Sequence, residues 1–368
     1  MTNATKKVVD ADTHISESEH MWELFDREMY KRRPVLISVP DDTLYGERDA
    51  FWLIDGNIFP KPNGKGSFRL ITPSASKFEL ARGDIHLPYR EMTDIPGRLR
   101  DMDKLGVDTQ VVFPTLFLIY ITDDVALDVA MARAYNRFIA QACAKSGGRM
   151  RWVVVPPLHS TEESVKEIKW GKDNGAVGVF FRGVEGQRTL DNPYFHPIYQ
   201  AANDTELPIC IHTGAGCPDF IKLFDVERNH TFGHSRIQPI LAFRDLIGNK
   251  IPEQYPKLKF GFLEASAGWV PFMMHILKRL FKEKWKFSSD QDMFREYRIF
   301  VAAEADEDIK YISEFTGEDH LIIGSDYGHQ DPSEERQLVA AMRARADVPQ
   351  AITDKMFFDN PKLLYPLN

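Results

Sequence analysis

The chain contains few cysteines and no long apolar run. Its 368 residues include only Cys143, Cys210 and Cys217, and no two are spaced as Cys-x-x-Cys. So sparse a set argues against a disulfide framework and favours a reducing compartment. No run approaches the 18 apolar residues of a membrane span, and the N-terminus lacks an apolar signal-like region. We therefore expect a soluble, cytoplasmic protein.

An excess of positive charge is also absent. The 46 basic residues are outnumbered by 54 acidic ones, which leaves a net charge of −8. This balance argues against a nucleic-acid partner, because binding to phosphates needs clustered positive charge. The densest basic run, over 278–286, is interrupted by Glu283 and is typical of a solvated helix face. We expect a small-molecule substrate as the partner, and neither nucleic acid nor membrane.

Eight apolar runs alternate with helical patterns along the chain. Most are continuously apolar, which is typical of parallel strands buried on both faces. This alternation predicts an α/β fold, namely a (β/α)8 TIM barrel formed as one domain by residues 1–368, in preference to a doubly wound open sheet. The predicted strands are 8–14, 107–114, 152–156, 176–182, 207–212, 259–264, 298–304 and 320–326.

Three of these strands end in residues of the types that bind metal ions. The first ends in Asp12 and His14, which project from the same face because they are two apart; the fifth ends in His212 and the eighth runs into Asp326. Taken singly, each of these residues is more simply explained as a loop residue or a helix cap than as a metal ligand. Together they can meet only if the sheet closes into a barrel. We predict that these four residues bind one divalent metal, with Zn²⁺ expected first and Mn²⁺ or Fe²⁺ as alternatives.

Two segments are longer than a minimal barrel requires. Residues 15–95 follow the first strand and include a hairpin pattern around Gly56-Asn57. Residues 213–234 follow the fifth strand and are rich in aromatic and histidine residues. Because both follow strands, we predict that they cover the barrel mouth and enclose the substrate. The alternative is a surface elaboration or an oligomer contact.

Taken together, the motifs resemble those of a known enzyme family. Residues 12–14 resemble its opening acid-x-His motif, and 191–214 resemble the helix and strand that deliver its metal-binding histidine. Residues 324–327 resemble its final metal-aspartate motif, and 360–365 its C-terminal helix. Outside residues 15–95 the chain is similar to the aminocarboxymuconate-semialdehyde-decarboxylase-like branch of the amidohydrolase superfamily (amidohydrolase 2). The resemblance implies a metal-dependent enzyme and a homodimer or higher homo-oligomer.

Two departures from the family pattern bear on the reaction. Many superfamily hydrolases bridge two metals with a carboxylated lysine on the fourth strand, but residues 177–182 contain no lysine, which implies a mononuclear site. Family decarboxylases usually place a histidine after the sixth strand, where this chain has Glu264. The second departure argues against decarboxylation.

Our leading hypothesis is therefore a metal-dependent hydrolase that acts on a small organic substrate through a metal-activated water. The resemblance implies that Asp326 takes the water proton; Glu264 can pass it to the leaving group, and His329 can act as an acid–base group. The alternative is non-oxidative decarboxylation of an aromatic or unsaturated acid at the same metal. A second alternative is a barrel that binds a small molecule without turnover.

Three further residues are candidates for substrate binding. Arg182 can hold a substrate carboxylate, although an ion pair with Glu185 or Glu304 explains it equally well. Glu304 is a second candidate, or alternatively it orients His212. His234 is the third. The many aromatic residues nearby suggest a planar or aromatic organic acid.

Overall fold

Eight parallel strands form one sheet whose order follows the chain. In this computed structural model, residues 7–43, 46, 49–60, 69–220 and 236–367 are described. Each strand lies beside the next barrel strand along the chain, and every pairing is parallel. All eight predicted strands are confirmed. The strands in this sheet are β1 (Val9–His14), β5 (Thr109–Phe113), β6 (Met150–Val154), β7 (Ala176–Arg182), β10 (Ile209–His212), β11 (Phe260–Leu263), β12 (Ile299–Ala303) and β13 (Leu321–Ile323).

The first and last strands meet just beyond the end of β13. The backbone N–H of His14 donates to the Tyr327 carbonyl (2.6 Å), and that of Asp326 donates to the Asp12 carbonyl (3.1 Å). Gly324 permits this approach, because a Cβ there would collide with the Cβ of Asp12. The sheet therefore nearly closes into the predicted barrel, and its first and last strands bring their ligand-type residues together.

Helices lie between the strands, as a barrel requires. The helix after β6 begins at the predicted cap: Ser160 Oγ accepts the backbone N–H of Glu163 (3.3 Å). The helix before β5 ends at Gly106, whose φ of 74° is a left-handed C-cap. The main helices are Ile95–Leu105, Val125–Ala144, Thr161–Asp173, His196–Thr205, Ile237–Gly248, Val270–Phe281, Asp290–Tyr297, Ile309–Thr316 and Leu338–Ala344; shorter ones are Glu19–Trp22, Lys77–Leu80, Leu87–Arg90, Ile251–Gln254, Gln350–Asp354 and Asn360–Leu364.

The segment after β1 carries a small sheet of its own. Strands β2 (Val35–Ser38), β3 (Ala50–Ile54) and β4 (Asn57–Phe59) are antiparallel. The predicted hairpin is present, but its turn residues are Asp55 and Gly56, both with positive φ (51° and 75°), which leaves Asn57 in the strand. Two further short strands, β8 (Val184–Glu185) and β9 (Arg188–Thr189), pair beside the end of β7.

Side chains of this segment contact loops at the carboxyl end of the barrel. Arg82 donates to the carbonyls of Gly328 (3.2 Å) and His329 (2.9 Å), which follow β13. Thr122, in the loop after β5, donates to Asp55 (2.7 Å). The role of residues 15–95 as a cap stays a prediction. Within the described ranges, no helix is long and apolar enough to cross a membrane.

Candidate metal centre

Six buried acidic and histidine side chains converge at the carboxyl end of the barrel. Asp12, His14, His212 and Glu264 each offer a ligand atom, and these four atoms lie within 4.8 Å of one another. A second group with the same spacing contains His14, Glu264 and Asp326, together with His329. The predicted ligands Asp12, His14 and His212 thus stand together. Asp326 belongs to the second group, and Glu264, expected only as a proton shuttle, belongs to both.

His14 is at the centre of the cluster. Its Nε2 lies 3.4 Å from Asp12 Oδ1, 3.4 Å from Asp326 Oδ1 and 3.6 Å from Glu264 Oε2. None of these contacts is a hydrogen bond, so this buried nitrogen has no hydrogen-bond partner among the described residues. Such an orphaned polar atom has to be explained by a ligand, a solvent molecule or an ion.

Backbone carbonyls determine the tautomers of the two predicted histidine ligands. Nδ1 of His14 lies 2.9 Å from the Pro114 carbonyl, and Nδ1 of His212 lies 2.9 Å from the Thr213 carbonyl. Carbonyl oxygens only accept, so Nδ1 carries the proton in each neutral ring and Nε2 presents a lone pair. His212 Nε2 in turn lies 3.3 Å from Asp12 and 3.4 Å from Glu264. Two lone pairs facing carboxylates fit a divalent cation.

The carboxylates of the cluster have strongly shifted pKa values. Burial raises the pKa of Asp12, but the charge of His212 and contacts with both histidines outweigh it and lower that pKa to about 2. Burial raises the pKa of Glu264, against the charge of His212. The pKa of Asp326 lies well above its ordinary value because of burial, then repulsion by Glu264 and Asp331. Burial lowers the pKa of His14, but Asp12 and Glu264 more than compensate and raise it to about 9. A bound cation would take the place of that proton.

His329 is held by residues of the loop after β5. Its ring stacks on His14 with centroids 3.7 Å apart, and its Nε2 lies 2.9 Å from Thr115 Oγ1. Thr115 Oγ1 donates its one proton to the Ile15 carbonyl (2.7 Å), so His329 Nε2 must be the donor. The pKa of His329 lies well below its ordinary value because of burial and the charges of His14 and His212. The neutral ring therefore turns the Nδ1 lone pair toward Asp326 Oδ1, 2.7 Å away.

Glu264 and Asp326 both adopt a backbone conformation that is rare for their residue types. Their φ angles are 49° and 54°, in the left-handed region. The Arg236 guanidinium donates to the Glu264 carbonyl. On the other side, buried Asp10 accepts the backbone N–H of Ser325 (2.8 Å), next to Asp326. Hydrogen bonds from residues outside the cluster therefore stabilise the backbone at Glu264 and beside Asp326.

The guanidinium of Arg182 is occupied by protein atoms. Its Nε donates to Glu185 Oε2 (2.9 Å), Nη2 contacts the same carboxylate, and Nη1 donates to the carbonyls of Phe117 (3.4 Å) and Ile119. The expected bidentate contact with a substrate carboxylate is therefore not available in this arrangement. The ion pair with Glu185, named above as the alternative, is what the structure contains.

Of the other two predicted substrate contacts, Glu304 lies within the described residues and His234 does not. Glu304 Oε1 accepts from Ser266 Oγ (2.9 Å) and pairs with Arg236 (2.9 Å). The partner that orients His212 is the Thr213 carbonyl rather than Glu304. His234 lies outside the described residues, as does the part of the 213–234 segment from residue 221 onward.

Sequence reasoning missed three supporting residues. Thr115 and Glu17 are the first two: Glu17 accepts the N–H of Thr115 (2.9 Å) and so fixes the residue that contacts His329. Asp10 is the third. It occupies the alternate position of the Asp10-x-Asp12-x-His14 pattern, a signal that the sequence did contain. Nothing in the sequence marked Thr115, because its partner is 214 residues away.

Comparison with known proteins places this site in a family. A family model described as amidohydrolase matches residues 58–367. Gamma-resorcylate decarboxylases from Rhizobium sp. (strain MTP-10005) and Rhizobium radiobacter are 23% and 22% identical over 187 residues. The alignments cover 48% of this chain and 57% of each relative, so the chain spans little more than half the length of these curated relatives.

Solved structures share the fold at low sequence identity. An amidohydrolase from Mycobacterium avium subsp. paratuberculosis K-10 has a TM-score of 0.77 at 16% identity over 98% of both chains. A 5-carboxyvanillate decarboxylase from Novosphingobium aromaticivorans, with bound manganese, has a TM-score of 0.68 at 18% identity over 99% of this chain and 98% of that one. A 2,6-dihydroxybenzoate decarboxylase from Rhizobium scores 0.63 at 15% identity over 98% of both. The chain belongs to the amidohydrolase family.

Proposed function

We propose that this protein is a metal-dependent, non-oxidative decarboxylase of an aromatic acid that carries a hydroxyl group beside its carboxylate. The observation that carries the proposal is that the Nε2 atoms of His14 and His212 face buried carboxylates while their Nδ1 atoms face backbone carbonyls. The choice of reaction is supported by relatives named as gamma-resorcylate, 2,6-dihydroxybenzoate and 5-carboxyvanillate decarboxylases. The decarboxylase alternative thus becomes the leading hypothesis in place of hydrolysis.

Asp12, His14, His212 and Glu264 would hold the cation, with Asp326 beside them. When bound, a divalent cation supplies positive charge that binds and polarises adjacent substrate oxygens. The manganese in the Novosphingobium structure supports Mn²⁺ as a candidate beside Zn²⁺. Mixed nitrogen and oxygen ligands suit either ion.

Decarboxylation breaks the bond between the ring carbon and the carboxylate, leaves the electron pair on the ring and requires a proton there. Asp326 is the best-placed donor, because burial and the charge of Glu264 raise its pKa and favour the protonated form. His329, neutral and 2.7 Å away, presents the Nδ1 lone pair that can accept a hydrogen bond from the protonated carboxyl. Aromatic rings adjoin the site: Phe113 lies 5.1 Å and Phe180 6.1 Å from the His212 ring, between centroids. An aromatic substrate would find apolar partners there.

Hydrolysis is the second candidate, and one observation favours it. Both Asp326 oxygens and Glu264 Oε2 are buried without a hydrogen-bond partner. They could accept the proton of an attacking water, as the sequence-based hypothesis assumed.

The test is to incubate Mn²⁺-loaded and Zn²⁺-loaded enzyme with 2,6-dihydroxybenzoate in ¹⁸O-labelled water. Decarboxylation predicts CO2 release in equal amounts with the decarboxylated phenol, and no ¹⁸O in that product. Asp326→Asn should abolish CO2 release, while His320→Asn, at the far end of β13, should retain it. Label in the organic product of this or another acid or ester, without CO2, would favour hydrolysis and overturn the proposal.

A further inference from the structure

A cavity lies beside the metal centre, between the loops that follow β5, β6 and β7. We call it the Tyr120 cavity. Its apolar wall includes Phe117, Ile119 and Phe180, and its polar end is formed by Tyr120, Asp128 and His159. Phe180 is shared with the metal centre, because its ring centroid lies 6.1 Å from that of His212. A molecule bound at the metal would therefore have this cavity next to it.

The cavity wall is braced by hydrogen bonds between loops. The backbone of Tyr120 donates to the Ala215 carbonyl (3.0 Å), and Ala215 donates to the Leu118 carbonyl (2.6 Å). Arg182, which also lines the cavity, donates to the carbonyls of Phe117 and Ile119. These contacts join the loop after β5 to the ends of β7 and β10, so the cavity is built into the barrel mouth and is not a gap between surface side chains.

The donors at the polar end are already used within the protein. The Tyr120 hydroxyl donates to Asp123 Oδ1 (2.6 Å). His159 Nδ1 lies 2.9 Å from Asp128 Oδ2, and its Nε2 lies 2.7 Å from the Tyr120 oxygen. A phenol has a single proton, so Tyr120 can offer a ligand only a lone pair, and a carboxylate such as Asp128 also only accepts.

Arg182 adds no unpaired positive charge to the cavity. Four of its five N–H groups contact Glu185 or backbone carbonyls, and the buried Glu185 carboxylate opposes its charge. An acidic substituent in the cavity would lie near Asp128, and the described lining residues offer no unpaired cation to it, which is unfavourable. The cavity is therefore acceptor-lined and suited to a neutral group that donates.

We propose that the Tyr120 cavity receives the part of the aromatic ring remote from the reacting carboxylate and selects a hydroxyl or amino substituent that donates to Tyr120 Oη. It disfavours a methoxy group or a second carboxylate at the same place. This inference rests on the proposed function for the orientation of the ring. The selection itself is a binding preference and can be measured without turnover.

The experiment compares ligands that differ only in this substituent. Dissociation constants of Mn²⁺-loaded protein are measured by calorimetry for 2-hydroxybenzoate and its 4-hydroxy, 5-hydroxy, 4-methoxy and 5-methoxy derivatives. At one of the two positions, the hydroxyl compound should bind about 10-fold more tightly than its methoxy partner, as expected for one hydrogen bond at a half-buried acceptor. Tyr120→Phe should bring that ratio close to 1. Tyr194→Phe is the matched control, because its hydroxyl donates to the Leu158 carbonyl (2.9 Å) in the same region without lining the cavity.

Each result decides one question. No hydroxyl preference at either position in the wild type, or an equal loss of preference in both Tyr→Phe variants, overturns the assignment of the cavity. Because the ratio is measured within each variant, a general loss of stability does not imitate the effect. A hydroxyl preference that depends on Tyr120, without CO2 release from any of the compounds, would retain the cavity and reject decarboxylation. CO2 release without the hydroxyl preference would support decarboxylation and reject the assignment of the cavity.

Discussion

At the residue scale, backbone carbonyls determine what the histidines at the metal centre can do. Pro114 and Thr213 each fix a proton on Nδ1, and this leaves the two Nε2 atoms among acidic groups, where a cation can take the place of a proton. Neither carbonyl could be read from the sequence as a functional group, because every residue has one. The metal-ligand chemistry of His14 and His212 therefore depends on the loops that bring those carbonyls near.

Thr115 is predicted to position His329. Thr115→Val removes the oxygen that accepts the His329 Nε2 proton and leaves a buried donor unsatisfied, so we expect a fall in kcat of about 10- to 100-fold. Thr115→Ser keeps the hydroxyl and should retain most of the activity. Metal content, measured by elemental analysis, should stay the same in both variants. Equal kcat values for the two would rule out this role of Thr115.

Glu17 should make stability depend on pH. Burial is the largest influence on this carboxyl and raises its pKa from 4.5 to about 7, although the N–H groups of Leu116 and Thr115 oppose it. Between about pH 4.5 and 7 the folded state keeps a proton that the unfolded state has released. This group's contribution to stability therefore falls as pH rises through that window.

The matching measurement is urea unfolding followed by circular dichroism at pH 5 and pH 7.5. The free energy of unfolding of the wild type, relative to that of Glu17→Gln, should fall by up to about 3 kcal/mol between the two pH values, the equivalent of the pKa difference. Exposed Glu162→Gln serves as the control and should follow the wild type. If Glu17→Gln has the same pH dependence as the wild type, the buried carboxyl is not the cause.

At the scale of elements, the segment after β1 is joined to the loop after β13 through Arg82. This side chain is only 5% exposed, pairs with Glu79 (3.1 Å) and Asp84 (2.7 Å), and donates to the carbonyls of Gly328 and His329. One arginine thus connects the insertion to the backbone of a residue at the metal centre.

Arg82→Ala should destabilise the fold by about 2–3 kcal/mol, because the carbonyls of Gly328 and His329 lose a donor and Asp84 loses its cation, whereas Glu79 keeps its pair with Arg90. It should also lower kcat, since the backbone of His329 loses a donor. The matched control is Arg32→Ala: Arg32 pairs with Asp55 and Asp124 but is 40% exposed, so its loss should cost less than about 1 kcal/mol. Chemical denaturation measures the free energy of unfolding of both variants. Similar losses in the free energy of unfolding for the two variants would contradict the role of Arg82 as a buried connection between the insertion and the loop after β13.

At the scale of the whole molecule, the barrel and the metal centre depend on each other. The ligand-type residues come from the ends of β1, β10, β11 and β13, so a bound cation connects distant parts of the sheet. A ligand that binds only the folded state stabilises it in proportion to the logarithm of its concentration above Kd. Removal of metal with a chelator should therefore lower the Tm, and added Mn²⁺ or Zn²⁺ should restore it.

His212→Asn separates this effect from non-specific binding. The variant should contain little metal by elemental analysis and should show no rise in Tm with added Mn²⁺, whereas His320→Asn should behave like the wild type. The strands themselves should persist without metal, because the barrel core consists of buried apolar side chains. A full Tm response in His212→Asn would place the metal elsewhere.

Much of the barrel could be predicted because its signals are local. Eight apolar runs, their spacing and the caps between them follow from the burial of parallel strands and from helix-end chemistry. The residues Asp12, His14 and His212 were found for the same reason, since each ends a strand. The hairpin was also found, with its turn displaced to Asp55-Gly56 because left-handed backbone favours those two residues.

For charged side chains, the sequence left the partner open. Arg182 was a candidate for a substrate carboxylate or for an ion pair with Glu185 or Glu304, and the structure contains the ion pair with Glu185. Glu264 was expected to move protons, and it stands among the candidate ligands because the turn after β11 points it inward. An unpaired charge is costly to bury, so each takes the nearest opposite charge that the fold provides.

The sequence by itself determined the barrel, the family and three of the candidate metal ligands, since strand period and chain order dictate which side chains leave the carboxyl ends. Tertiary structure alone decided the tautomers of the histidines, the contacts of Arg182 and His329, and the acceptor character of the Tyr120 cavity. Those depend on atoms hundreds of residues apart in the chain, and only closure of the barrel brings them into contact.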